Sequence, residues 1–184
     1  MGPMMRSCLM VLLCAFCIHA DVDVQPDFDL AKFSGKWHVM AAVSDCDLFQ
    51  KMKPIMTTSA TIVKPLPNGD TELVTGFPLP KECKKMKMLL KKTDQPGHFT
   101  SDDETGKKDV RVMATDYDNF AFLYIFKEAE GEPSSTSVQL YTRLPKITKE
   151  VMEIFKQLYH KVGLTDDLMV EFPWSDLCSN LLRD

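Results

Sequence analysis

Phe33-Ser34-Gly35-Lys36-Trp37 is followed at once by an apolar segment from Val39 to Val43. A tryptophan carries a large apolar ring and one indole N–H in need of an acceptor, so a Trp that opens a strand belongs in a core. The glycine two residues earlier permits a backbone path that a Cβ would block. The stretch therefore reads as the start of a strand whose tryptophan plugs one end of a small β-barrel.

Upstream of it, Met1 to Arg6 carries one base and no acid, Leu9 to Ile18 is an apolar run, and Ala20 ends it with a small residue. This is the pattern of a secretory signal peptide over residues 1–20, too short to span a bilayer, with residues 21–184 left as one domain. No later segment reads as a membrane span. The full chain has 22 bases against 26 acids, a net charge of −4 that becomes −5 when Arg6 leaves with the leader. Such a balance offers no electrostatic footprint for nucleic acid or an anionic membrane. Of the six cysteines, Cys8, Cys14 and Cys17 lie in the leader, leaving Cys46, Cys83 and Cys178. In an oxidising compartment three thiols allow one internal disulfide and one spare.

Downstream, short apolar or alternating segments recur between turn residues, the pattern of a meander sheet. Strands are expected over residues 36–43, 58–63, 71–77, 84–92, 98–101, 107–115, 119–127 and 137–143. Asn68-Gly69 between the second and third can take the positive φ of a tight hairpin. Eight hairpin-linked strands suffice to close a barrel and leave no exposed edge. The period then changes: Val151, Ile154, Phe155, Leu158 and Val162 recur at helical spacing, with Thr148 placed as N-cap and Gly163 as a stop. One apolar stripe needs one surface, and the outside of a barrel supplies it. Residues 168–172 can add a final short strand before Pro173.

Three motifs then fall in order. Gly35-Lys36-Trp37, Thr115-Asp116-Tyr117 and Leu140-Tyr141-Thr142-Arg143 resemble, in sequence and spacing, the three motifs of the lipocalins. The resemblance covers residues 21–184. It implies an all-β fold, an eight-stranded antiparallel up-and-down barrel with one C-terminal α-helix packed outside. It also implies that Arg143 lies over Trp37 in a cation–π contact at the barrel floor. The family commonly ties the start of the fourth strand to the C-terminal tail, which implies a Cys83–Cys178 disulfide and leaves Cys46 as the free thiol. Cys46 sits in the loop expected at the open mouth, where family members carry a reactive thiol or one joined to a partner chain. Asp45 and Asp47 disfavour its thiolate, while Lys51 and Lys53 oppose them.

With Trp37 inward, period-two alternation sends Val39 and Ala41 inward as well. The same logic, helped by the resemblance, places Ser59, Thr61 and Val63, then Leu73, Thr75 and Phe77, on the inner wall. Met86, Met88 and Leu90 follow, with Val110 and Val112, Leu123 and Ile125, and Gln139 and Tyr141. This wall is apolar with a few hydroxyls, and its methionines can repack around varied shapes. Lys127, on the inward phase at the rim, is positioned to meet a carboxylate or phosphate. Siderophore-binding lipocalins need several inward bases there, and one such position is Ser137, with Lys108 and Lys84 as substitutes.

The prostaglandin D synthase branch of the family, which Thr115 to Tyr124 and Gly163-Leu164-Thr165 resemble, uses an inward thiolate on the second strand. Ser59 replaces that expected cysteine, and a serine hydroxyl is not ionised near neutral pH, so no isomerase activity is expected. His38, His98 and His160 are far apart, with no metal-ligand spacing, and no cofactor motif is present. The expected function is therefore transport of a small hydrophobic ligand, fatty-acid-like or retinoid-like, by a secreted extracellular protein. The alternative is an interaction subunit or redox-active lipocalin acting through Cys46. Terminal sequencing of the secreted protein is expected to begin at Asp21; a start more than a few residues away contradicts the leader assignment.

Overall fold

In the computed structural model, which describes residues 22–79 and 82–178, the chain enters the fold through a one-turn helix, α1 (Leu30–Phe33). The Asp29 carboxylate caps it by accepting from the Ala31 and Lys32 amides. Gly35, at φ +94°, then turns the chain into β1 (Gly35–Ser44), and a Cβ there would stand 3.4 Å from the Arg143 guanidinium. The leader expected over residues 1–20 lies outside the described residues.

Seven further strands follow: β2 (Ser59–Pro65), β3 (Thr71–Pro78), β4 (Cys83–Lys92), β5 (His98–Asp103), β6 (Gly106–Thr115), β7 (Phe120–Glu128) and β8 (Ser135–Thr142). Each begins and ends within two residues of the bounds read from sequence. Each pairs antiparallel with the next, and β1 pairs with both β2 and β8, which closes the barrel. A short β9 (Met169–Glu171) then lies along Ala41 to Val43, where β1 has diverged from β2.

Trp37 is fully buried and its indole N–H donates to the Phe33 carbonyl at 2.8 Å. Phe28, Phe33 and Phe99 pack around it to form the floor. The Arg143 guanidinium carbon lies 3.7 Å from the centre of the Trp37 ring, as expected, and its N–H groups donate to the Lys32, Lys36 and Tyr117 carbonyls.

One expectation for β1 is overturned. A register shift between Val39 and Ala41 inserts a bulge at Met40, so Ala42, not Ala41, faces the barrel interior. Ala41 packs outward with Val43, Phe122, Leu140 and the helix residues Phe155 and Tyr159. Strict alternation fails here because a bulge adds one residue and flips every side chain beyond it.

The helix α3 (Lys149–Lys161) is capped by Thr148, whose hydroxyl accepts from the Val151 amide, and it ends before Gly163 at φ +84°. Its buried face centres on Phe155 and Tyr159, whereas Ile154 is 39% exposed. Tyr159 replaces Ile154 in the stripe because its ring is buried while its hydroxyl reaches out to Asp166 at 2.7 Å.

Beyond β9 the tail crosses the outside of β1 to β3. The Phe172 amide donates to Met40, Thr58 donates to the Pro173 carbonyl, and Cys178 forms the disulfide with Cys83. With 95 residues of sequence separation, that link stabilises the fold by on the order of 4 kcal/mol in the chain-entropy model. Under the tail, His38 is buried with its ring 4.9 Å from that of Trp174, and its Nδ1 has no hydrogen-bond partner. Burial, and secondarily the nearby Lys36 charge, lower its pKa from 6.5 to about 4.

Two outcomes are expected. Arg143→Met leaves three carbonyls without their donor and removes the cation, costing about 2 kcal/mol by chemical denaturation, and Arg143→Lys restores less than half because an ammonium lacks the planar fork. For His38, the unfolded chain gains a proton below pH 6.5 that the folded chain refuses until about pH 4. Stability should fall across that window and no further below it on this group's account, and His38→Gln should flatten that part of the profile.

Candidate functional site

Cross-strand pairing brings the inward residues into belts. Trp37 lies opposite Thr61, Thr61 opposite Thr75, and Thr75 opposite Met86; Val63, Leu73 and Met88 form a second row. Across the barrel, Leu123 faces both Val112 and Gln139, and Ile125 pairs with Val110. Partners in register share a face, so these belts enclose one volume above the floor.

That inner chamber has a volume of about 480 Å³. Ser59, Leu73, Thr75, Phe77 and Met86 line it, as do Met88, Leu123, Ile125, Gln139 and Tyr141. Val39 and Thr61 lie beneath it in the packed floor, where the Thr61 and Thr75 hydroxyls are 2.9 Å apart. Tyr141 is buried and donates to Gln139 Oε1 at 2.9 Å; burial raises its pKa, so the phenol stays protonated. These polar groups thus satisfy one another, and around them the lining is largely apolar.

Lys127 does not line the chamber. Its ammonium turns to Glu132 in the β7–β8 loop, at 3.1 Å. The cations that do line it are Lys87, on β4, and Lys108, on β6 opposite Lys127. Lys108 is buried and held by both Asp103 oxygens at 2.8 Å and by the Thr105 hydroxyl at 2.6 Å. Burial by itself would raise the Asp103 pKa, but hydrogen bonds from Lys108 and Thr105 outweigh it and bring it down to about 2. Asp103 and Thr105 went unseen in the sequence because their role depends on the β5–β6 hairpin folding back over Lys108.

A second chamber, also of about 480 Å³, lies at the mouth. One wall is α2 (Asp47–Met52) with the 3₁₀ turn Lys53–Ile55, which follows β1 where the sequence suggested only a loop. Leu48, Phe49, Met52, Ile55 and Met56 line it from that side, and Leu79 and Lys84 from the other. Those five apolar residues recur at helical spacing, a signal that could have found the helix. Phe77 and Met86 belong to both chambers. Cys46, which forms no disulfide within the chain, precedes α2, is half-buried and lines this outer chamber. Such a placement lends no support to a disulfide-linked partner.

The histidines hold structural positions. His38 lies under Trp174, His98 contacts Asp109 at 2.7 Å, and His160 contacts Asp166 at 2.7 Å. Among the described residues no group of three or more His, Cys, Asp or Glu is arranged to hold a metal ion, and no helix is long and apolar enough to cross a membrane.

The chain is 36% identical to human Lipocalin-15 over 97% of its own length and 96% of the relative's. It is 30% identical to cat prostaglandin-H2 D-isomerase, over 86% of its own length and 84% of that protein's. A solved structure described as the siderocalin Ex-FABP, functioning through dual ligand specificities, superposes with a TM-score of 0.70 at 26% identity, covering 78% of this chain and 95% of the other. The profile of the Lipocalin / cytosolic fatty-acid binding protein family matches residues 34–176. With its three motifs assembled at a sealed floor beneath an apolar chamber, the chain belongs to the lipocalin family.

Proposed function

We propose that this protein is a secreted, extracellular carrier that binds a small hydrophobic ligand, fatty-acid-like or retinoid-like, in the barrel cavity. The observation that carries the reading is the inner chamber: apolar residues of five strands line a volume large enough for such a ligand. Thr75, Gln139, Tyr141 and Lys108 have partners of their own, so a lipophile entering the chamber leaves those buried polar groups paired. The family's description as fatty-acid binding, the disulfide and the leader-like N-terminus support the same reading.

The protein acts without covalent chemistry. Ser59 lines the chamber, but the described histidines are occupied elsewhere, and Asp103 is taken up by Lys108 and Thr105. Among the described residues none is hydrogen-bonded to the Ser59 hydroxyl so as to activate it. The relation to prostaglandin-H2 D-isomerases is therefore one of scaffold.

Leu123→Trp, which fills the inner chamber, is expected to weaken retinol binding at least tenfold, read from retinol's own fluorescence, while the thermal midpoint stays within a few degrees. Equal retinol affinity in both proteins would refute the chamber as the site. Turnover of prostaglandin H2 that Ser59→Ala abolishes would refute the non-enzymatic reading.

A further inference from the structure

The outer chamber has walls unlike those of the inner one. Leu48 and Ile55 are 68% and 57% exposed at its rim, although both stand on short elements that could have turned them elsewhere. Clustered apolar exposure around a recess marks a surface meant to be covered. Met52, Met56 and Met86 give the recess walls that repack around a flexible chain.

Charge separates the two chambers. In the inner one, Lys108 is neutralised by Asp103 and Lys87 by Glu72, the latter at 3.3 Å. In the outer one, Lys84 lies opposite Phe77 on the inward phase of β4. Among the described residues that line the two chambers, it is the one ammonium without an acidic partner. An anionic head group entering the mouth therefore meets a free cation beside an apolar recess before it meets any cation deeper in. Moving it further inward would strip its hydration with no unpaired charge to compensate.

We propose that the outer chamber is a second ligand site, distinct from the inner one. It takes a single-chain amphiphile with a carboxylate head, the head at Lys84 and the chain laid between α2 and the Phe77–Met86 partition. Phe77 and Met86 are then a shared wall between two occupants. The inner site prefers neutral lipophiles and the outer site anionic ones.

Cys46 supplies a readout confined to the outer chamber, because it lines that chamber and not the inner one. The rate of maleimide labelling of Cys46 is measured in the full-length secreted protein against increasing palmitate. Labelling should slow saturably, and hexadecanol should need at least tenfold more for the same effect. Lys84→Glu, a change at an exposed side chain, should raise the half-protecting palmitate concentration at least tenfold and leave retinol binding unchanged. Leu123→Trp should do the reverse, abolishing retinol binding and sparing palmitate protection. Labelling indifferent to palmitate would overturn the site, as would equal protection by palmitate and hexadecanol in wild type and Lys84→Glu. Loss of protection in Leu123→Trp would show one continuous site. Failure of retinol binding in the wild type, with protection intact, would count against the inner-chamber function alone.

Discussion

The guanidinium of Arg143 stacked on Trp37 is the contact from which the rest of the molecule takes its form. It joins the start of the first strand to the segment just past the last, so it marks where the barrel closes. Fully burying an indole contributes several kcal/mol, roughly 150–250 Å² at about 25 cal/mol per Å². The cation adds about a tenth to a half of that while its N–H groups donate to three carbonyls at once. A cation over the ring is compatible with burial only if its N–H groups are satisfied, and α1 exists to present the Lys32 carbonyl at the right place. The floor is therefore filled by side chains, and any volume for a ligand has to lie above it.

Several polar groups of the inner wall and its floor are paired with one another. Thr61 meets Thr75, Tyr141 meets Gln139, and Lys108 meets Asp103 and Thr105. The arrangement resolves a conflict inherent in a hollow core. The wall carries polar side chains, yet polar atoms left unpaired there would penalise an apolar occupant. Pairing them in place removes that penalty. It also leaves the deep chamber with little net attraction for anions and shifts that attraction to the rim.

The strands and the three motifs were legible because period two and turn residues are local signals, and every strand end fell close to its sequence-read position. Ala41 was misread because the bulge at Met40 is set by a partner, β8, far away in sequence. Ile154 was credited with burial that belongs to Tyr159, because hydropathy scores the phenol as polar while its hydroxyl finds Asp166. Lys127 was favoured over Lys108 for the rim, although both share one face; which of two inward lysines reaches the cavity depends on whether its acid sits in a loop outside, as Glu132 does, or on the hairpin above, as Asp103 does. α2 stands where a loop was expected, because Asp45, Asp47 and Pro54 are local loop signals that mask the helical spacing of Leu48, Phe49, Met52, Ile55 and Met56.

The two ends of the barrel differ in how firmly they are held. At the floor, aromatic packing, the Arg143 fork and the capped α1 over-determine the geometry. At the mouth, β4 pairs with β5 only at Lys91–Thr100 and Lys92–Phe99, so its mouthward residues rely on β3 alone. The disulfide reaches that same end: Cys83 opens β4, and the tail that carries Cys178 is itself pinned to β1 and Thr58. Gly76, opposite Lys85, makes the crossing feasible, because a Cβ there would stand 3.0 Å from that of Cys178. The link thus substitutes for the missing sheet neighbour, fixing where β4 begins while leaving the middle of the strand, with Met86 and Met88, free to adjust. A wall fixed at both ends and compliant between them suits a chamber whose methionines have to close around flexible chains.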